Sequence, residues 1–344
     1  MKKKLLSTLL VGTMTASLLA GCGGEKAPSA DGGETGNDYE IVVVPKDASN
    51  PWFVRMNEGV VEYAEEHNSS TIYQKGTDEI DATKQAQLVG DLIAQDVDAI
   101  CVVPVDPSSL EPVLKQARDA GIVVVTHEGA SLENVDYDIE AFSNSGYGAF
   151  IMDNLASAMG EEGVYTTMVA DVTNASHNEW ADAGVEHAKE TYPNLTLLEA
   201  EPRVESHDNG DTAYNVAKEL LKKYPDLKGI MGTSSFDAPG IARAIDEMGL
   251  AGKVFTSGTG MPADNAELLK SGLVKSLTLW DPAQAGKAMI SLATKILDGE
   301  EIGDVVDLGV EGYTELKFRE GSKTVLEGEA WIVIDADNVD SFGF

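Results

Sequence analysis

The chain is 344 residues long and sets 25 lysines and arginines against 58 aspartates and glutamates, a formal net charge of −33. A field of that sign repels phosphate backbones, which excludes DNA and RNA as partners. The length suffices for two domains, and two cysteines are too few for a disulfide framework.

The first residues carry Lys2, Lys3 and Lys4, followed over 5–19 by an apolar stretch too short and too rich in Ser and Thr to be a stop-transfer helix. Such a segment directs export and is removed. It ends "LLAGC", which resembles the lipobox of bacterial lipoproteins. The resemblance implies a signal peptide over 1–21 and a lipid anchor on Cys22. Without the three lysines, 22 basic residues remain against 58 acidic ones, a net charge of −36. Residues 22–38, Gly-rich and polar, read as a flexible tether between membrane and domain. With Cys22 lipidated, Cys101 in "DAICVVPV" has no partner and is expected to be a buried, inert thiol.

From residue 39 onward, β-branched runs alternate with helical patterns. A strand at 41–44 precedes a helix over 55–67 with Met56, Val60, Val61 and Ala64 on one face. A second helix, 83–95, repeats the pattern with Leu88, Val89, Leu92 and Ile93, and a strand comes next at 99–103. Ser108 and Glu111 have capping-box spacing ahead of Leu110, Val113, Leu114 and Ala117, and Gly121 ends that helix before "IVVVT". This rhythm implies a parallel sheet covered on both faces. A second series starts near Gly163, with strands "VYTTMVA", "LTLLEAE", "GIMGTS", "KVFTS" and "VKSLTLW". Its helices are expected at 179–191, 211–224, 239–248 and 262–271, then 283–297, with a last strand in "AWIVID". The fold class is α/β. Two doubly wound, Rossmann-like lobes are the reading; one large sheet is the alternative.

Ligands of open parallel sheets sit beyond the carboxyl ends of the strands. Behind the first strand come Lys46, Asn50, Trp52 and Phe53, and behind the next two Asp106, then His127 and Glu128. The second series offers Ser176, His177, Asn178 and Trp180, then Thr233, Ser235 and Asp237, and finally Trp280 and Asp281. Three of the four tryptophans fall at strand ends. Rings that stack on C–H faces, with amides, hydroxyls and a few charges around them, suit a polyhydroxylated ligand.

The lipobox, "NPWF", "VTHEG", "NEW" and "LWDPAQAGK", in this order and spacing, resemble the periplasmic sugar-binding proteins of ABC importers. The nearest likeness is to their ribose- and rhamnose-type branch, which includes the autoinducer-2 binding proteins, and it covers residues 39–344. It implies the type I periplasmic binding protein fold, with parallel-sheet lobes joined by a three-crossing hinge. The N-terminal lobe is expected over 39–130 plus 282–307, and the C-terminal lobe over 131–281 plus 308–344. It further implies stacking by Trp52 and Phe53, a ligand carboxylate at Glu128, and at Lys46 the lysine of autoinducer-2 binders. Those binders carry Asp where Glu128 stands, Asp-Gln for Ser176-His177, and Pro and Ala for Thr233 and Ser235. Sugar binders carry Asn-Asp for Ser235-Phe236, with Asp237 as a substitute.

The five histidines lack zinc-site spacing, "DADNVD" lacks the glycine and distal glutamate of a calcium loop, and no nucleophile elbow or phosphate loop occurs. No metal, cofactor or catalytic set is expected. An exported α/β enzyme is therefore the weaker alternative, and a transcriptional regulator is excluded by the tether. The expected partners are a small sugar such as ribose or rhamnose, a permease and the membrane, for a monomer on the outer face of the cytoplasmic membrane.

Overall fold

In the computed structural model, which describes residues 39–344, strand β1 (Ile41–Val44) explains its own composition. Ile41 and Val43 point into one hydrophobic cluster with Met56 and Val60, while Val42 and Val44 point into another with Val89, Leu92 and Leu110. A parallel strand covered on both faces needs an apolar residue at every position, hence the unbroken run. The signal segment, Cys22 and the tether lie outside the described residues.

Strands β2 (Ile72–Gln74), β3 (Ala99–Val102), β4 (Val123–His127) and β5 (Tyr137–Glu140) continue this parallel sheet in the order β2-β1-β3-β4-β5. Three late strands complete its far side: β14 (Val325–Glu327) parallel to β5, then β13 (Leu316–Phe318) and β12 (Val305–Val306) antiparallel. Helices α1 (Pro51–Glu66), α2 (Ala82–Gln95), α3 (Pro107–Asp119) and α9 (Pro282–Leu297) accompany it. Gly59 on α1 lets α9 approach closely, since a Cβ there would lie 2.2 Å from the Ala283 carbonyl oxygen.

A second parallel sheet, β10 (Phe255–Ser257), β9 (Leu227–Gly232), β6 (Glu162–Val169) and β7 (Asn194–Leu197), carries β8 (Arg203–Glu205) as a further partner of β6. Its helices are α4 (Asn144–Met159), α5 (Ala175–Thr191), α6 (Gly210–Lys223), α7 (Asp237–Glu247) and α8 (Pro262–Lys270). Helices α4 and α5 touch through Gly148, where a Cβ would lie 2.1 Å from the Trp180 carbonyl oxygen. Strands β11 (Ser276–Leu279) and β15 (Ile332–Asp335) form a separate antiparallel ribbon. The one-sheet alternative is thereby overturned.

Strand pairing departs from the expected lobe boundaries. β5, within the stretch 131–281, and β13 and β14, within 308–344, hydrogen-bond into the first sheet and not the second. Their register is set by neighbours distant in sequence, which no local pattern reveals. Helix starts also move. Asn50 caps α1 at Pro51, and Asn174 caps α5 at Ala175, four residues ahead of each expected start. Ser108 is not the cap of α3: Asp106 accepts its backbone N–H, while Glu111 accepts the backbone N–H groups of Glu133 and Asn134. Cys101 is buried in β3 and unpaired, and burial pushes its thiol pKa up.

Candidate ligand-binding site

The carboxyl ends of both sheets face one chamber. On the first-sheet side, Asn50 accepts the Trp52 N–H at 2.9 Å, and Pro51 is pre-set for the first helical turn. Trp52 and Phe53 therefore sit on the opening turn of α1 and not in a loop, 5 % and 3 % exposed. Trp52 meets Trp280 edge-to-face at 4.7 Å, and Trp280 meets Trp180 at 5.6 Å, so the three rings line a common wall with Phe53. Trp180 is fixed by its indole N–H donating to Asn144 Oδ1 at 2.7 Å. The indole Nε1 of Trp280 is buried without a partner.

Lys46 and Glu128 form a buried ion pair, Nζ to Oε2 at 2.7 Å. Glu128 has φ +62°, a left-handed conformation that a non-glycine residue adopts only when its surroundings impose it. Asp138 on β5 ties down residues on both sides of Glu128: its Oδ1 accepts the Gly129 N–H at 2.8 Å and the Thr126 hydroxyl at 2.6 Å. From the second-sheet side, Ser176 on α5 donates to the same Glu128 oxygen at 3.2 Å. One carboxylate thus ties the two sides of the chamber together.

The chamber is tight, a cavity of about 30 Å³. Of the expected residues, Lys46, Asn50, Trp52, Phe53, Glu128, His177, Trp180, Thr233, Ser235 and Trp280 line it. Burial, with Lys46 adding to it, keeps His177 well below the usual imidazole range, so it is neutral. Two further residues line it, Thr259, within the strand-end stretch 257–261 behind "KVFTS", and Asp208, which escaped the sequence reading. Asp208 lies just past β8, a three-residue strand behind Pro202, so the residues after "RVE" held the one signal that could have found it. Its carboxylate accepts the Ser234 hydroxyl, and burial raises its pKa despite Lys46.

Six expected residues do not line the chamber. Asn178 gives its amide N–H groups to the Asp171 and Asn174 carbonyls and accepts from Arg203 at 2.7 Å. Asp237 caps the loop before α7, accepting the Thr233 and Ser234 N–H groups at 2.9 Å each, and burial raises its pKa to about 7. Asp281 caps α9 and holds Arg55 through two hydrogen bonds of 3.0 and 2.8 Å. Asp106 caps α3. Ser176 acts through Glu128. His127 lies behind Trp280, ring to ring at 6.0 Å, against the Tyr313 hydroxyl at 3.2 Å. Burial lowers its pKa to about 4, so it too is neutral. Polar residues at helix starts satisfy backbone N–H groups first, which is why position at a strand end over-predicts ligand contacts.

No group of His, Cys, Asp and Glu among the described residues is arranged to hold a metal ion. A pocket of edge-to-face aromatic rings, hydroxyls and one internal ion pair between two doubly wound sheets is built to bind a solute. The chain belongs to the periplasmic binding protein domain family, whose model matches residues 41–301. It is 27 % identical over 313 residues to the D-ribose/D-allose-binding protein of Pseudomonas aeruginosa, covering 88 % of this chain and 96 % of that protein. It is 23 % identical to the ribose import binding protein RbsB of Bacillus subtilis, covering 91 % and 99 %. Among solved structures, LsrB from Clostridium saccharobutylicum in complex with AI-2 superposes with a TM-score of 0.79 at 20 % identity, over 88 % of this chain and 99 % of that one. A solute-binding protein from Clostridium phytofermentas with bound L-rhamnose gives 0.78 at 19 %, over 89 % and 98 %. The fold is that of type I periplasmic binding proteins, and the relatives are binding proteins of transporters, not enzymes.

Proposed function

We propose that this chain is an extracytoplasmic lipoprotein that captures a monosaccharide, a pentose or 6-deoxyhexose such as ribose or rhamnose, and delivers it to an ABC transporter permease. The observation that carries the reading is the chamber itself, where Trp52, Trp180 and Trp280 offer apolar ring faces around the Lys46–Glu128 pair. Sugars present C–H faces to rings and hydroxyls to charged groups, and hydrogen bonds to charged groups contribute about 1.5–3 kcal/mol each. Two or three of these with stacking reach the roughly −8 kcal/mol of micromolar binding.

The reading includes two lobes hinged near Ala141, Asp281 and Ala330, where the chain passes from one sheet to the other region. Ligand contacts available only in the closed state shift the population toward closure. Autoinducer-2 is the second reading, favoured by Lys46; Glu128, Ser176-His177, Thr233 and Ser235 depart from the residues of those binders. Calorimetry with pentoses, hexoses, 6-deoxyhexoses and autoinducer-2 decides between them: heat only with autoinducer-2 refutes the sugar reading. Solution scattering should give a smaller radius of gyration with ligand, and identical curves at saturation would count against a hinged cleft. We also propose monomeric action and anchoring through Cys22. Cys22→Ser should release the protein from the membrane fraction, and membrane retention of that variant refutes the anchor.

A further inference from the structure

The ring of Trp180 is held by a chain of polar contacts that begins in the opposite sheet. Arg319 follows β13, and its backbone N–H donates to the Val325 carbonyl of β14 at 2.9 Å, so it belongs to the first sheet. Its Nε donates to Glu327 Oε1 at 2.7 Å, and its Nη1 reaches Glu179 Oε1, on α5 beside the second sheet, at 3.2 Å. The other oxygen of Glu179 accepts the side-chain N–H of Asn144, on α4, at 2.8 Å, and Asn144 Oδ1 accepts the Trp180 indole N–H at 2.7 Å. Asn144 and Trp180 are buried, while Arg319 and Glu179 are partly exposed. Arg319, Glu179 and Asn144 do not line the chamber; Trp180 does.

The donors and acceptors of this chain have a fixed order. An asparagine amide offers an accepting oxygen and a donating nitrogen at the same reach, so Asn144 alone could turn either toward Trp180. A buried indole N–H only donates and needs an acceptor. An ionised carboxylate only accepts, so Glu179 takes the amide nitrogen and leaves the oxygen for Trp180. The guanidinium of Arg319 holds Glu179 in that place by a charge-assisted contact. Resting on the sugar-binding reading above, we infer that Arg319 is a positioning residue for solute binding: through Glu179 and Asn144 it fixes the Trp180 ring in the chamber wall without touching the chamber. Arg319 and Trp180 sit with different sheets, so approach of the two completes the chain and sets the ring.

Arg319→Gln and Glu179→Gln break the chain at two links, the second at the more exposed side chain, where folding is least disturbed. Calorimetry with D-ribose, D-xylose, L-arabinose, L-rhamnose and L-fucose tests the inference. The sugar that binds the parent should bind each variant about threefold to tenfold more weakly, the size of one net hydrogen bond. In a Trp180→Phe background, which has no indole N–H to orient, Arg319→Gln should cost no more than about twofold. The melting temperature lost through Arg319→Gln should be the same in both backgrounds, because Glu327 loses its partner in each. Near-UV circular dichroism reads the ring without any sugar: both single variants should alter the tryptophan bands, and the alteration should vanish with Trp180→Phe. Equal affinity loss in the two backgrounds, unchanged affinity in both variants, or unchanged tryptophan bands overturns the inference and leaves the sugar reading intact. Silence from all five sugars overturns the sugar reading instead, and the tryptophan bands then decide whether Arg319 positions Trp180.

Discussion

Replacing Glu128 by Gln removes the charge that balances Lys46 while keeping the side chain's size and its contact with Ser176. The two side chains are 5 % and 4 % exposed and 2.7 Å apart, so neither charge is screened by water. Taking one partner from such a pair leaves a buried charge without a counter-charge, which costs about 3–5 kcal/mol. Lys46→Met should cost a similar amount, since it strands Glu128 with only the Ser176 hydroxyl for compensation. Replacing both, as Lys46→Met with Glu128→Gln, removes the electrostatic conflict altogether and should recover most of the loss. Urea unfolding of the four proteins at pH 7 gives the cycle directly, each midpoint converted to free energy with its own slope. If the double variant loses the sum of the two single losses, the residues do not act as a pair and the reasoning fails. Ligand titration of the same set separates the roles: the double variant should be stable yet bind sugar at least about tenfold more weakly.

Trp52→Ala should cost about 3–5 kcal/mol of stability through the cavity left beside Trp280, and weaken sugar binding as well; thermal melting with no shift would contradict the packing at 4.7 Å. His127 is held neutral by burial, its pKa lowered from 6.5 to about 4, so the unfolded chain binds more protons between these values. Stability tied to it is present above pH 6.5 and lost as pH falls toward 4, by about 3 kcal/mol, and His127→Phe should remove that loss from the acid limb of a denaturation series. Asp237 has the opposite sign. Raised from 3.8 to about 7, its contribution is present at low pH and lost as pH rises through 7. Asp237→Asn keeps the acceptor for the Thr233 and Ser234 N–H groups and should stabilise the protein above pH 7 by up to about 4 kcal/mol; a variant less stable than the parent at pH 8 refutes this.

Which residues reach the chamber was only partly legible. Trp52, Trp180 and Trp280 could be placed there because a tryptophan behind a parallel strand has few other uses. Asn178, Asp237 and Asp281 looked equivalent to them by position, yet each satisfies backbone N–H groups, carbonyls or Arg55. Asp208 was invisible because its strand, "RVE", is too short to register as a strand.

What the sequence determined by itself was the α/β class, the alternation of strands with helices, and the side of the sheets on which ligand groups gather. These come from local periodicity, since a strand buried on both faces must be apolar throughout and a helix must repeat every three to four residues. The tertiary structure alone decided that β13 and β14 return to the first sheet, and that Lys46, Glu128 and Ser176 converge across the cleft from three distant segments. It also decided that Glu128 adopts a left-handed conformation, with the next residue, Gly129, held by Asp138. Such features depend on which strands become neighbours and on which buried polar groups are left for one another, and neither is written in the residues next to them.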